Sequence, residues 1–233
     1  MTMAAERAQA VSTMFTRIAR RYDLMNSVMT AGRHHAWRGA AAREAVGAPP
    51  GPVLDLATGT ADLAIAARRL DPARVVIGAD FSLGMLVEGR RKLTARRARV
   101  ALAAADALAL PFADGAFASV VSAFLLRNLV DLDAGLAEMR RVTRRGGRVI
   151  TLDIVKIALP LWDALFGLYF HRVVPAIGAV VAGDRQAYTY LPESVDRFLT
   201  AQGLAAAMRR AGLRDVSYRT LGLGSVALHV GVV

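Results

Sequence analysis

Three aspartates stand at or beside the ends of successive apolar runs: Asp55 within Val53-Leu54-Asp55-Leu56, Asp80 after Val75-Val76-Ile77-Gly78-Ala79, and Asp106 after Ala104-Ala105. A carboxylate at such a place can accept from both hydroxyls of a ribose, or from the exocyclic amine of a base. Between the first two lies the turn Ala57-Thr58-Gly59-Thr60-Ala61-Asp62, with a single glycine. A dinucleotide turn needs several glycines, so that backbone amides can close on a pyrophosphate at a helix N-terminus. Asp62, expected in the first turn of the next helix, suits the helix dipole but repels a pyrophosphate there, and Asp55 adds a second negative charge. The pattern predicts a nucleoside without phosphates and preferably cationic. S-adenosylmethionine meets that description with its ribose, adenine, sulfonium and ammonium. Asp80 is assigned the ribose hydroxyls, Asp106 the adenine amine, and the backbone amide of Ala107 the adenine ring. Each aspartate also has a plainer use as a helix cap; their order along the chain favours the nucleoside site.

The elements that must position these residues alternate. Strands are expected near 53–57, 75–79, 99–104, 117–123 and 147–153, with helices near 61–70, 83–96 and 132–143. Arg144-Arg145-Gly146-Gly147 is read as the cationic, glycine-capped end of the last helix. Repeated strand–helix units imply a parallel sheet covered on both faces. Two further runs, 213–220 and 225–232, joined through Gly222 and Gly224, favour an antiparallel hairpin at a sheet edge. The expected fold is α/β: a class I S-adenosylmethionine-dependent methyltransferase with a seven-stranded, mostly parallel sheet ending in that hairpin. Ahead of the sheet, residues 7–46 read as helical, with Phe15, Ile18, Tyr22, Met25 and Met29 recurring at helical spacing. The breaker cluster Ala48-Pro49-Pro50-Gly51-Pro52 separates this arm, 1–48, from the methyltransferase domain, 49–233. A helical insertion follows the fifth strand at 155–200, with a short helix beginning near Pro192 and a final helix over 201–211.

Composition narrows the chemistry. The chain has 233 residues and no cysteine, which excludes disulfides, thiolate metal sites and cysteine nucleophiles. Thirty basic against 19 acidic residues give a formal net charge of +11, nearly all of it from arginine. That excess fits either a GC-rich genome or attraction to an anionic surface. Residues 1–10 lack the apolar core of a signal peptide. The most apolar region, 159–181, is interrupted by Asp163, His171, Arg172, Pro160 and Pro175, so broken helices are expected there rather than a membrane span. The expected location is cytoplasmic, with peripheral contact at an anionic membrane as an option.

The sequence also resembles the ubiquinone/menaquinone biosynthesis C-methyltransferases, which methylate a prenylated quinol ring. The resemblance runs nearly end to end. It rests on the arm Phe15-Thr16-Arg17-Ile18-Ala19-Arg20-Arg21-Tyr22-Asp23-Leu24-Met25-Asn26 with Trp37-Arg38, and on the turn Val53 to Thr60. Gly78-Ala79-Asp80-Phe81-Ser82 with Met85-Leu86, Asp106-Ala107, Leu110-Pro111-Phe112 and Leu126-Arg127-Asn128 continue it. Arg141-Val142 with Gly146-Gly147, Tyr188-Tyr190-Leu191 and Val226-Ala227-Leu228-His229 complete it. The arm and the Leu126-Arg127-Asn128 triplet are its most specific parts. It implies cofactor-binding roles for Asp55, Thr58, Gly59, Thr60, Asp80, Phe81, Asp106, Ala107, Ser122 and Ala123. Ala61 departs from the family, which usually has glycine there. Ala123 stands where relatives have serine, with Ser122 adjacent to serve instead. Residues 154–158 are less polar than in relatives.

The implied reaction is methyl transfer from a sulfonium to a ring carbon, an in-line displacement that needs alignment and exclusion of water. The carbon becomes nucleophilic when a neighbouring hydroxyl of the reduced ring loses its proton. Arg127 is expected to stabilise the resulting quinolate and Asn128 to orient a ring oxygen; the alternative for Arg127 is a salt bridge to Asp131 or Asp133. Tyr22 and Asp23 sit on an arm able to fold over the cofactor as a lid. Asp23 is a candidate base or equally a cap, and Tyr22 is equally a packing residue. His34, His35, His171 and His229 show no metal-ligand spacing, and no metal is expected. Trp162, Phe166, Tyr169 and Phe170 would line a channel for a prenyl tail or simply cover the sheet. The expected partner is a lipophilic quinol, demethylmenaquinol in preference to the benzoquinol precursor of ubiquinol; no nucleic acid is expected, and a homodimer stays open. Three alternatives stand beside this reading: a methyltransferase for another small aromatic or polyketide acceptor, a nucleic-acid methyltransferase, and a non-catalytic S-adenosylmethionine-binding scaffold. No Asn/Asp-Pro-Pro-aromatic motif follows the fourth strand to hold a flipped base, which counts against the second.

Overall fold

The computed structural model describes residues 3–157, 167, 169–177 and 185–233. A seven-stranded sheet runs in the order β3-β2-β1-β4-β5-β7-β6. Its strands are β1 Val53–Leu56, β2 Val76–Asp80, β3 Ala101–Ala104, β4 Phe117–Ala123, β5 Thr143–Ile154, β6 Arg214–Leu221 and β7 Val226–Val232. The first five are mutually parallel, and β7 runs antiparallel to both β5 and β6. The chain order reverses between β1 and β4, so the crevice beyond their carboxyl ends is where such sheets hold ligands.

The central strand β4, Phe-Ala-Ser-Val-Val-Ser-Ala, is buried along nearly its whole length, as expected of a strand covered on both faces. On one face α2 (Arg33–Val46) and α3 (Asp62–Leu70) bury Ala41, Ala42, Ala45, Ala64 and Ile65 against Val53, Val121 and Ile150. On the other, α5 (Leu132–Val142) and α7 (Ala201–Arg210) bury Leu136, Met139, Leu204 and Met208 against Leu54, Val120 and Val149. Side-chain caps start three helices: Ser82 accepts from the Met85 amide at α4 (Leu83–Ala95), Asp131 from Ala134 at α5, and Thr200 from Gly203 at α7.

A third cluster joins α1 (Met3–Thr30) to the core. Ile18, Ala19 and Met25 of α1 pack with Met85 of α4, with Phe170 and Val174, and with Val195 of α6 (Arg185–Asp196). Gly84 makes this docking close, since a Cβ there would lie 2.6 Å from Thr16 Cγ2. The arm is thus two helices with different roles: α2 is a layer of the core, and α1 lies across the carboxyl ends of the strands.

Two expectations change. Residues 144–147 do not cap a helix. The helix closes at Val142 with Thr143 already extended, and 144–147 form an excursion within β5, where the β4 pairing steps from Phe117–Thr143 to Ser119–Arg148. Gly146, at φ 71, turns that excursion rather than a C-cap. The helix expected to begin near Pro192 starts earlier, at Arg185, with Pro192 inside it. Trp162 and Phe166 lie outside the described residues, as does the side chain of His171. Among the described residues no helix is long and apolar enough to cross a membrane.

Candidate functional site

The turn from β1 to α3 winds tightly, with left-handed backbone at Ala57, Gly59 and Ala61. Ala61 takes at φ 68 a conformation that glycine adopts without strain. Gly78 of β2 lets the turn approach, because a Cβ there would meet Thr58 Oγ1 at 2.7 Å. Asp55 is wholly enclosed beneath. Its Oδ2 accepts from Thr58 Oγ1 at 2.6 Å and from the Ala64 amide at 3.0 Å, and burial pushes its pKa up to about 7.

Asp80 ends β2 with both oxygens engaged on one side. Oδ2 accepts from the Gly59 amide and Oδ1 from the Ser82 amide, each at 2.8 Å. Each oxygen keeps a further acceptor site. Burial raises the pKa of this carboxyl, against the pull of those amides. Asp80 lines a cavity of about 140 Å³ with Gly59, Phe81, Asp106, Ala107 and Ala123. Asp106 steadies its own loop by accepting from the Leu108 amide at 2.9 Å. From above, Val11, Ser12, Phe15 and Tyr22 of α1 close the cavity.

A second cavity, of about 420 Å³, lies beside the first. Phe15, Tyr22, Phe124 and Asn128 line both, and so form the wall where the two meet. Most of the larger cavity is apolar: Ile18 and Met29 of α1, Ile154, Tyr169, Phe170 and Leu191. The 3-10 turn Leu126–Asn128 supplies its polar edge. Arg127 Nη1 donates to Asp153 Oδ1 at 2.6 Å and to the Phe124 carbonyl at 2.8 Å, while Asp153 Oδ2 accepts from the Arg127 amide at 3.4 Å. The Phe124 carbonyl also accepts from Asn128 Nδ2 at 3.0 Å. Because a carbonyl can only accept, that contact fixes the amide orientation of Asn128. Arg127 Nε and Asn128 Oδ1 are left buried without a partner. Phe124 holds this arrangement from a left-handed backbone, φ 65, and its ring lies under two guanidinium groups, Arg38 at 5.4 Å and Arg127 at 5.7 Å.

Six of the expected cofactor residues therefore share one cavity: Gly59, Asp80, Phe81, Asp106, Ala107 and Ala123. Four stand behind it. Asp55 and Thr58 bond to each other. Ser122 points into the interior beside Thr151, leaving Ala123 rather than Ser122 on the cavity. Thr60 bonds to Asp23 Oδ1 at 2.7 Å and accepts from Lys92 Nζ at 2.7 Å. Of the acceptor-side candidates, Arg127, Asn128 and Tyr22 line the larger cavity. Asp23 lines neither; its carboxylate is ion-paired to Lys92. The salt bridge of Arg127 runs to Asp153, not to Asp131 or Asp133.

Asp62 also departs from expectation. Lys92 at 2.8 Å, with Arg38 and Arg96 each at 3.9 Å, surrounds it, and these cations outweigh its burial to hold its pKa below the usual value. Its charge is spent there and does not bias the turn against phosphate. The case for a nucleoside rests instead on Asp80 and Asp106.

Reasoning from sequence missed Asp153, Phe124 and His34. Asp153 closes the apolar run of β5, a signal of the kind used for Asp80. His34 is buried on the larger cavity, and burial, then the adjacent Arg38, depress its pKa to about 4, so it is neutral. Arg38 Nη1 contacts its Nδ1 and Ser27 Oγ lies 3.1 Å from its Nε2. An arginine can only donate, so the ring proton sits on Nε2. His34, His35 and Asp62 do gather within 4.8 Å of one another, which their spacing did not suggest; Arg38 already supplies the positive charge there.

The profile of the ubiE/COQ5 methyltransferase family matches residues 1–233. The chain belongs to this family. The demethylmenaquinone methyltransferase of Deinococcus radiodurans is 45% identical over 226 residues, covering 97% of this chain and 93% of that protein. The ubiquinone/menaquinone biosynthesis C-methyltransferase UbiE of Desulfotalea psychrophila is 40% identical over 95% of this chain and 89% of its own. Among solved structures, a Thermotoga maritima S-adenosylmethionine-dependent methyltransferase, described as a possible histamine N-methyltransferase, aligns with a TM-score of 0.64. It covers 95% of this chain and 99% of its own at 18% identity, a likeness of fold. As in the ubiE/COQ5 family at large, the cofactor is S-adenosylmethionine. The residues fit it: a buried carboxylate with free acceptor sites at a strand end, a second at the next strand end, and a wall open toward an apolar cavity.

Proposed function

We propose that this enzyme methylates a ring carbon of a prenylated quinol, with demethylmenaquinol as the favoured acceptor. S-adenosylmethionine supplies an electrophilic methyl group on a sulfonium. Asp80 would take the ribose hydroxyls, Asp106 the adenine amine and the Ala107 backbone amide the adenine ring, with Phe81 beside the base. Tyr22, Phe15 and Phe124 close the junction between the two cavities and exclude water from it. The acceptor ring lies against Asn128 and Arg127, with its apolar substituents among Ile18, Met29, Phe170 and Leu191.

The observation that carries this reading is the orphaned pair on the 3-10 turn at the edge of the larger cavity, Arg127 Nε and Asn128 Oδ1. A buried donor and a buried acceptor on adjacent residues suit one hydroxyl, which would accept from the first and donate to the second. Asn128 Oδ1 cannot be satisfied by a carbonyl, so the site favours the reduced ring over the quinone. The hydroxyl proton passes to water at the mouth of the larger cavity as Arg127 stabilises the developing phenolate, which makes the ring carbon beside it nucleophilic. Once that carbon is methylated, its own hydrogen leaves as a proton to water and the ring regains its aromaticity. Asp153 keeps Arg127 in register. Asp23, tied to Lys92 and Thr60, docks α1 onto the core and serves as no base.

Peripheral contact with an anionic membrane belongs to the same proposal. The net charge of +11 supports it, as do the exposed Val28 and Leu223 at the edge of the acceptor cavity. The test is an assay with labelled S-adenosylmethionine on short-chain prenylated naphthoquinol, benzoquinol, other phenols and RNA. Transfer to the naphthoquinol supports the reading. Transfer to RNA or to an unrelated phenol alone overturns it.

A further inference from the structure

Eight described side-chain atoms are buried without a hydrogen-bond partner, and four of them belong to residues lining the acceptor cavity: Arg127 Nε, Asn128 Oδ1, Asn26 Nδ2 and Tyr190 OH. Native proteins satisfy the great majority of buried polar groups, so four such atoms on residues that line one cavity single out this region as a place where side-chain rotation would let a polar ligand be received. Two of them are accounted for by the hydroxyl next to the methylated carbon. The other two come from different elements, Asn26 from α1 and Tyr190 from α6. The neighbouring phenol on the same cavity makes the contrast plain: Tyr169 OH donates to the Met29 carbonyl at 2.8 Å and is satisfied within the protein.

Resting on the quinol reading above, we propose that Asn26 and Tyr190 form a second polar pole of the acceptor site, one that binds the ring oxygen remote from the methylated carbon. Asn26 Nδ2 donates to that oxygen. Tyr190 OH, which both donates and accepts, pairs with it whether it is protonated or not. With one pole at the 3-10 turn and the other on α1 and α6, the cavity selects a ring bearing oxygens at opposite, 1,4-related positions, not a simple phenol. The acceptor thereby bridges the core to the two elements that cover it, giving α1 a reason to stay closed while a ring is bound.

The test compares two acceptors and three proteins. The acceptors are a short-chain 2-prenyl-1,4-dihydroxynaphthalene and its analogue 3-prenyl-1-naphthol, which keeps the hydroxyl beside the methylated carbon and lacks the remote one. For the wild type, the KM of the analogue is expected to be about 5- to 10-fold higher, the worth of a lost neutral hydrogen bond at a buried site. Tyr190→Phe and Asn26→Ala should each raise the KM of the dihydroxy ring by a similar factor, with kcat and cofactor affinity little changed. Neither should raise that of the analogue, so the discrimination shrinks toward unity. A variant that merely loosened the fold would impair both acceptors and leave their ratio intact. Tyr190→Phe, which removes one oxygen and no volume, keeps the test decisive should Asn26→Ala fail to fold. An unchanged ratio in Tyr190→Phe overturns the second pole while leaving the quinol reading standing. Failure of the wild type to methylate either ring, with cofactor bound, overturns both.

Discussion

The two cavities that meet at Phe124 and Asn128 are built in opposite ways. The cofactor side is made by short stretches at the ends of neighbouring strands: one tight turn, the Asp80 carboxylate bonded to its amides, and the Asp106 loop. The larger cavity is made by side chains that meet only in three dimensions, from α1, α2, the 3-10 turn, Tyr169 and Phe170, α6 and the β6–β7 connection. The first carries fixed polar backbone and carboxylates. The second is apolar, with a few polar atoms left unpaired inside the protein. On the proposed reading, the first half holds the common reagent and the second, convergent half chooses what receives the methyl group.

Perturbing Arg127 should separate the halves most strongly. Arg127→Ala is expected to cut turnover by a factor of about 100 or more, as loss of a transition-state charge contact does. Cofactor affinity should stay close to that of the wild type. The same change leaves Asp153 buried and unpaired, with side-chain exposures of 6% and 1% across the pair, and should cost about 3–5 kcal/mol of stability. Combining Arg127→Met with Asp153→Asn should restore most of the stability and none of the turnover, read by denaturant titration and single-turnover kinetics. Recovery of activity in that double variant would remove Arg127 from the chemistry.

The reciprocal change is Asp80→Ala. It should weaken cofactor binding by roughly 100-fold, from charge-assisted hydrogen bonds worth about 1.5–3 kcal/mol each. Acceptor binding, measured by calorimetry with an unreactive quinol analogue, should change little. A matching loss on the acceptor side would mean that the two cavities are one functional unit.

Acidity should distinguish the two halves more gently. Neutral His34, on the acceptor side, has its pKa lowered from 6.5 to about 4, so the unfolded chain binds its proton first. Its contribution to stability is present above pH 6.5 and is lost as pH falls toward 4. Asp55, under the cofactor turn, has its pKa raised from 3.8 to about 7, so the folded chain holds the proton more tightly. Its contribution is present below pH 3.8 and is lost as pH rises through 7. His34→Gln should therefore lessen the loss of stability on acidification, and Asp55→Asn the loss on raising pH from 4 to 7, both followed by thermal melts across that range. Slopes of the opposite sign would contradict the lowered pKa of His34 and the raised pKa of Asp55.

The smallest effect is expected at Asp23. With 37% of its side chain exposed, its pairing with Lys92 is worth no more than about 1 kcal/mol. Asp23→Asn should loosen α1 and raise the acceptor KM modestly while kcat persists. A collapse of kcat would restore Asp23 as a base.

The same contrast explains what the sequence disclosed. The sheet, its terminal hairpin and the cofactor class were legible because they depend on apolar periodicity and on residues a few positions apart. Asp80, Asp106 and Gly59 fell where a strand-end argument placed them. One premise was mistaken: Asp62 stands in the first helical turn as expected, yet Lys92, Arg38 and Arg96 neutralise it, and no local pattern reveals partners that distant. Asp55, Thr58 and Thr60 sit in or beside the turn after β1 without lining the smaller cavity, their side chains bonded within the protein, a distinction of side-chain direction that motif spacing does not carry. On the acceptor side, Arg127 and Asn128 were found through resemblance, while their support by Asp153 and the Phe124 carbonyl needed β5 and the 3-10 turn placed side by side. Asn26 and Tyr190 lie in stretches noted for their likeness to a family, but only the cavity shows that their polar atoms are unspent.

The central claim is that the two cavities deliver a methyl group to a carbon beside a hydroxyl of a reduced ring. The most direct measurement uses S-adenosylmethionine carrying a carbon-13 methyl group, a short-chain prenylated naphthoquinol under strict reduction, and magnetic resonance with mass spectrometry of the product. The account predicts a single labelled methyl bonded to the ring carbon next to a hydroxyl, and no product when the oxidised quinone is offered instead. A label on oxygen, or equal turnover of the oxidised ring, would contradict it.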